Sequence, residues 1–331
     1  MRDYRFDVAR VVCMTYIIAF LHLYAYVYPQ GRYAFYIPAC GMLANACLGL
    51  FTFISGYLLG RKYQFGNDGN TAVWAFYKKR LLRIIPLFWL ASIALWMIGY
   101  NDAEATANGL LCVSPFVTPT PRTLWYIPVI MWCYLLTPLI SRSRVRWRVL
   151  SCLFIFGLLV VARLLFPSID NRFIFNVFFY FVGVVSAACF DWKFSFRHGT
   201  VIKTLVVWGF IVIVAVLLHA SLLNSAAAQM VLGAIGVFAI LFVCDAISKL
   251  FFDSRPQHQN AFQSLGGWVI GIVSYASMAC YMFHRLFYWA AEQVWNPADA
   301  SVKWLFMAGL VFPVIIALSY AIQKLYDHCR L

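Results

Sequence analysis

Ten stretches of predominantly apolar residues follow one another along the chain, at 8–28, 38–60, 82–100, 124–141, 149–167, 172–190, 202–220, 228–248, 269–289 and 303–323. About twenty such residues, rising 1.5 Å each, cross a bilayer as a helix, which satisfies its own backbone polar groups there. No soluble domain carries that repetition. Charged residues make up only 11% of the 331 and hydrophobic ones 63%, where an ordinary soluble domain has about 25% charged. A soluble enzyme, a disordered chain and a nucleic-acid binder are excluded on this ground. The first stretch is too long for a signal peptide and no small-residue cleavage site follows it, so it counts as a helix. The expected fold is all-α: a polytopic membrane bundle of about ten helices, forming a single domain over residues 1–331.

The net charge of +14 resembles a nucleic-acid signal only until its distribution is considered. With a cytoplasmic N-terminus, twenty Lys and Arg fall in inside segments and four in outside ones, namely Arg32, Arg122, Arg172 and Lys303. Lys and Arg collect on the cytoplasmic side of membrane proteins. Both termini are therefore expected in the cytoplasm. The arginines of SRSRVRWR (141–148) read as contacts to anionic lipid headgroups. Ten cysteines are scattered without a C-x-x-C pair or a Cys/His spacing that suits a metal, so no metal site is expected.

Ionisable groups inside spans are costly and are functional candidates. His22 and His284 each lie about 15 residues into helices that run outward, so they fall at similar depth in the outer half of the bilayer. Either alone reads as a core histidine bonded to a neighbouring carbonyl or hydroxyl. Two at matched depth point to a shared polar cavity. Arg285 adjoins His284, several residues from the outer boundary. Asp7 and Arg10 read by themselves as an interfacial anchor, and snorkelling accounts for Arg163 and Asp245. His198, His219, His258 and His328 receive no role. The densest basic feature is Lys78, Lys79, Arg80 and Arg83 in YKKRLLRIIPLFW. Topology alone could explain it, but Arg80 and Arg83 are i,i+3 neighbours and could grip one phosphate together.

Five segments together resemble the membrane-bound acyltransferase-3 family, which acylates bacterial glycans and lipids. They are FDVARVVCMTYIIAFLH (6–22), GLFTFISGYLLG (49–60), YKKRLLRIIPLFW (77–89), TLWYIPVIMWCYLLTPLI (123–140) and VSYASMACYMFH (273–284). The resemblance implies transfer of an acyl group, usually acetyl, from cytoplasmic acyl-CoA to a hydroxyl of an envelope glycan or lipid-linked sugar. It implies a multi-pass protein of the bacterial cytoplasmic (inner) membrane, with acetyl-CoA as donor substrate and no bound cofactor. It carries over Arg10 and His22 as the first-helix pair. Arg80 and Arg83, with Lys79 beside them, carry over as the basic group that meets acyl-CoA.

Two departures from the family pattern follow. The family commonly places ten residues between its first-helix Arg and His, whereas Val11 to Leu21 makes eleven. At 100° per residue, ten intervening residues put the pair about 20° apart and eleven about 120° apart. Either a π-bulge absorbs one residue, or Arg10 is not the functional arginine; the family-like flanks FDVAR and FLH favour the bulge. In addition, Ile130 and Met131 stand where larger members carry an acidic pair, so no carboxylate role carries over.

Acyl transfer to a hydroxyl needs a base, and neutral imidazole suits that near pH 7. His22 is the expected base, with His284 as the second catalytic histidine. Tyr281, Arg285 and Trp125 are candidates for oxyanion or acceptor contacts. The main rival is a transporter or flippase that uses His22 and His284 as intramembrane polar sites.

Overall fold

The computed structural model describes residues 4–27, 36–63, 69–141, 145–189, 226–252 and 261–330. Among them, helix is the only regular secondary structure. The first helix, α1 (Tyr4–Thr15), passes unbroken into a π-helical segment, Tyr16–His22, and then into α2 (Leu23–Val27). There follow α3 (Tyr36–Lys62), α4 (Gly69–Met97), α5 (Ala103–Leu110), α6 (Tyr126–Ile140), α7 (Val145–Leu165) and α8 (Asn171–Cys189). The series closes with α9 (Ala226–Phe252), α10 (Ala261–Val294), α11 (Ala300–Phe306), a second π segment at Met307–Val311, and α12 (Phe312–Arg330).

Seven helices among the described residues are long and apolar enough to cross a membrane. They cover the second, third, fifth, sixth, eighth, ninth and tenth expected stretches. The first stretch is the α1–π–α2 helix, and the fourth is the shorter apolar helix α6. The seventh stretch, 202–220, lies outside the described residues, as do Arg142, Arg144, His198, His219 and His258. Hydropathy misjudged one boundary in particular. The third stretch was expected to begin at 82, yet α4 begins at Gly69. The basic cluster therefore lies inside a helix, because apolar content marks the part in lipid and not the helical extent.

Local sequence accounts for several features. Asp102 caps α5 by accepting the Ala105 N–H at 2.7 Å, and Asp299 caps α11 by accepting the Val302 N–H at 2.9 Å. The second π segment lies just before Pro313, which lacks an N–H and whose ring crowds the carbonyl of Gly309. The Phe312 N–H turns instead to Met307 O, five residues back.

The helices cluster into two compact units, Met1–Leu50 with Thr200–Leu331, and Phe51–Gly199. In the first, α1 packs on α9 and α10, and α10 on α12. Cys13, Cys47 and Cys244 are buried there. Asp245 does not snorkel. It is buried, with Lys249 Nζ at 3.1 Å and Arg5 Nη1 at 3.7 Å.

In the second unit, Gly56 and Gly60 of α3 form a G-x-x-x-G face against α8. A Cβ on Gly56 would strike Tyr180 O, and one on Gly183 would strike Phe53 O. Small residues allow such close backbone approach in membranes. A polar tie joins α8 to α6. Thr137 Oγ1 has one proton, which goes to Cys133 O at 3.0 Å, so Tyr180 donates to Thr137 Oγ1 at 2.5 Å. α7 buries only 11% of its apolar window inside the protein, leaving the rest for lipid.

Candidate active site

The π segment has a clear bonding signature. The Leu23 N–H reaches Ile18 O, an i→i+5 bond that takes up one residue. Of the two explanations for the eleven-residue interval, this is the structural one. A single absorbed residue brings Arg10 and His22 back to about 20° apart around the helix.

His22 closes the π segment, and its Nδ1 lies 2.7 Å from Nε2 of His284 on α10. The ring centroids are 4.8 Å apart and the planes are inclined by 3°. Centroids so much farther apart than the nitrogens mean that the rings meet edge to edge. One turn on, each helix carries a tyrosine, and the Tyr26 and Tyr288 rings lie 5.4 Å apart. The tyrosines tie the helices reciprocally. Tyr26 Oη donates to Arg285 O, and Tyr288 Oη donates to Ile18 O, both at 3.3 Å. His opposite His and Tyr opposite Tyr require the two helices to run parallel here.

The other expected residues divide between the units. In the first, Arg285 is buried with its guanidinium 5.2 Å from the Tyr26 ring centroid. The Tyr281 ring is 6.2 Å from that of His284. Arg10 stands ~18 Å from His22 along the helix. Its Nη1 donates to Asp7 Oδ1 at 3.3 Å, and that same oxygen accepts Ser274 Oγ at 2.7 Å. Arg10 is thus tied to α10 through a buried carboxylate, below the histidine pair.

In the second unit, Lys79 and Arg83 are exposed while Arg80 is half-buried. The Arg80 guanidinium lies 5.8 Å from the Phe76 ring and 5.6 Å from the Tyr134 ring, and its Nε is buried without a hydrogen-bond partner. Trp125 carries the Arg172 guanidinium on its face at 4.1 Å. Asp170 in turn holds Arg172, accepting Nε at 2.8 Å and Nη2 at 2.5 Å.

A family model described as an acyltransferase domain matches residues 3–324. The chain belongs to the acyltransferase-3 family. Neither the comparison with curated proteins nor that with solved structures returned a match. Membership makes this a multi-pass membrane acyltransferase, working on an acyl donor and an acceptor at the bilayer.

The acyltransferase's histidine pair has a defined proton order. His284 Nδ1 faces the carbonyl oxygens of Tyr281 at 2.9 Å and Cys280 at 3.1 Å. Carbonyls only accept, so Nδ1 carries the proton, and Nε2 of a neutral His284 offers a lone pair. That lone pair accepts from Nδ1 of His22. With both rings neutral, the lone pair of His22 lies on Nε2, which has no partner among the described residues. Backbone carbonyl, His284 and His22 thus form a directed chain, the orienting arrangement that histidine bases use elsewhere. Among the described residues no group of three His, Cys, Asp or Glu gathers as metal ligands.

Sequence reasoning missed Tyr26, Tyr288, Ser274 and the coupling of Asp7. A signal existed for the tyrosines, since H-x-x-x-Y occurs both at 22–26 and at 284–288. Ser274 lies within the family-like segment 273–284, but nothing local pointed to its partner 267 residues away.

Proposed function

We propose that the acyltransferase moves an acyl group, with acetyl as the default, from cytoplasmic acyl-CoA to a hydroxyl of an envelope glycan or lipid-linked sugar, with His22 as general base. The observation that carries this reading is the 2.7 Å His22–His284 bond backed by the Tyr281 carbonyl. It supports the tautomer that leaves Nε2 of His22 available to a substrate proton. In the reaction, the acceptor oxygen attacks the thioester carbonyl carbon as Nε2 takes the hydroxyl proton. The tetrahedral oxyanion then collapses, the carbon–sulfur bond breaks, and the proton passes from Nε2 to the departing thiolate. The imidazolium formed in between keeps its Nδ1–H bond to His284. Arg285 and Tyr281 are the nearest candidates to stabilise the oxyanion, and Trp125 is an acceptor-contact candidate.

Arg80, with Arg83 and Lys79 beside it, would hold the donor's phosphates. The unpartnered Nε of Arg80 between two aromatic rings supports that role. The ten-span arrangement with both termini cytoplasmic, a whole-chain acyltransferase domain and a bacterial inner-membrane location complete the reading; the twenty-to-four charge distribution supports the topology.

Purified protein given radiolabelled acetyl-CoA and envelope glycans should label an acceptor. Mass spectra of glycans from cells with and without the gene should differ by one acetyl group. Solute movement without donor consumption would overturn the proposal.

A further inference from the structure

Arg148 does not lie exposed on the surface as the arginines of SRSRVRWR were expected to. It is 4% exposed, whereas Arg146, two residues earlier, is exposed and lies over the ring of its neighbour Trp147. Nη1 of Arg148 reaches Gly60 O at a long 3.4 Å, and its Nε is buried without a partner. A guanidinium has five N–H donors and stays charged, so burial with one weak bond is costly unless an anion is present.

No carboxylate among the described residues serves it. The sequence from 51 to 199 holds Asp68, Asp102, Glu104, Asp170 and Asp191 alone as acidic residues. Asp102 and Glu104 belong to the start of α5, and Asp170 lies beyond the far end of α7, a helix ~30 Å long. Asp68 and Asp191 lie outside the described residues.

Two further features gather at the same end of this unit. Arg148 is the fourth residue of α7, near the end of the helix where the dipole favours an anion and disfavours a cation. Ser141, at the close of α6, is buried with an unpartnered Oγ.

We propose that this end of the second unit binds a phosphate-type oxyanion, with Arg148 as the buried charged donor and the start of α7 as its dipole support. The ligand is either a soluble phosphate compound or the phosphate of an anionic lipid. The inference stands apart from the acyl-transfer reading and uses none of its residues.

The test is thermal unfolding of the full-length protein at fixed ionic strength. One series titrates inorganic phosphate and adenosine 3′,5′-bisphosphate in detergent. The other compares nanodiscs of phosphatidylcholine with nanodiscs containing phosphatidylglycerol. Stabilisation by the soluble phosphates assigns the soluble source, and stabilisation in phosphatidylglycerol alone assigns the lipid. In either case Arg148→Met should weaken the apparent affinity about tenfold or more, Arg148→Lys should recover part, and Arg146→Met should change nothing.

A flat wild-type response in every series, or an unchanged one in Arg148→Met, overturns the proposal. So does a loss of stability in Asp68→Asn or Asp191→Asn that equals the Arg148→Met loss and does not add to it. Should the Arg148 variants fail to fold, phenylglyoxal footprinting of the wild type decides. Phosphate or phosphatidylglycerol then slows modification of Arg148 if the site exists and leaves it unaltered if it does not.

Discussion

His22 and His284 stand 262 residues apart in sequence, yet their nitrogens lie 2.7 Å apart with the rings nearly in one plane. The pair is asymmetric. One histidine is anchored to a backbone carbonyl, and the other has a ring nitrogen with no partner among the described residues.

That asymmetry separates the two histidines by experiment. His22→Ala and His22→Gln should both lose acceptor labelling by about 10²–10⁴-fold while acyl-CoA binding persists, since neither can take the proton. His284→Ala removes only the orienting partner. It should lower kcat by about 10–100-fold with KM little changed. Full activity in His284→Ala would make the contact incidental.

The π segment makes a second test available. Deleting Thr15 should let the segment relax to an α-helix while keeping Arg10 and His22 on their present faces, so activity should survive. A folded but inactive deletion would show that the π geometry itself is needed. Tyr288→Phe removes the bond to Ile18 O and should cost about 1 kcal/mol of stability in a melting assay.

The second unit divides its basic residues by burial. Arg80→Ala should weaken acyl-CoA binding by about 1.5–3 kcal/mol in a titration with purified protein. Arg83→Ala, at an exposed position, should weaken it less. Unaltered affinity in Arg80→Ala would return the cluster to a topology signal.

Reporter fusions check the charge argument. Fusions after Ser141 and Leu331 should read cytoplasmic, and fusions near Ala105 and Asp299 should read external. Cytoplasmic readings at both of the latter would sink the ten-span arrangement.

Packing gives a stability prediction. Gly56→Leu or Gly183→Leu should destabilise the protein by at least about 1–3 kcal/mol, because each side chain would press on the backbone of the facing helix. Gly157→Ala, with nothing within 4 Å of its Cβ position, should be neutral or slightly stabilising. Melting temperatures in detergent separate the two classes.

The sequence made the two histidines conspicuous because imidazole is expensive in lipid, and parallel spans of similar length brought them to one depth. The residue before His22 was readable as a π-bulge because the resembled family's spacing marked it as extra and helical angle turned that into a misalignment. Tyr26 and Tyr288 escaped notice because an aromatic ring in an apolar helix attracts no attention until its hydroxyl is given a partner. Ser274 and Asp7 needed the fold itself, since no local spacing links residues on two distant helices. The start of α4 at Gly69 was missed because hydropathy reports the membrane and not the hydrogen bonding that extends a helix beyond it.

The reciprocal tyrosine ties end on main-chain oxygens, those of Ile18 and Arg285. Every amino acid supplies that oxygen. The alignment of the two helices therefore places no demand on which side chains occupy positions 18 and 285. The ties thus leave the side chain at each position, including the Arg285 guanidinium, available for tasks other than holding the histidines in register. A helix pair built this way keeps its alignment through substitution of the side chains at those two positions.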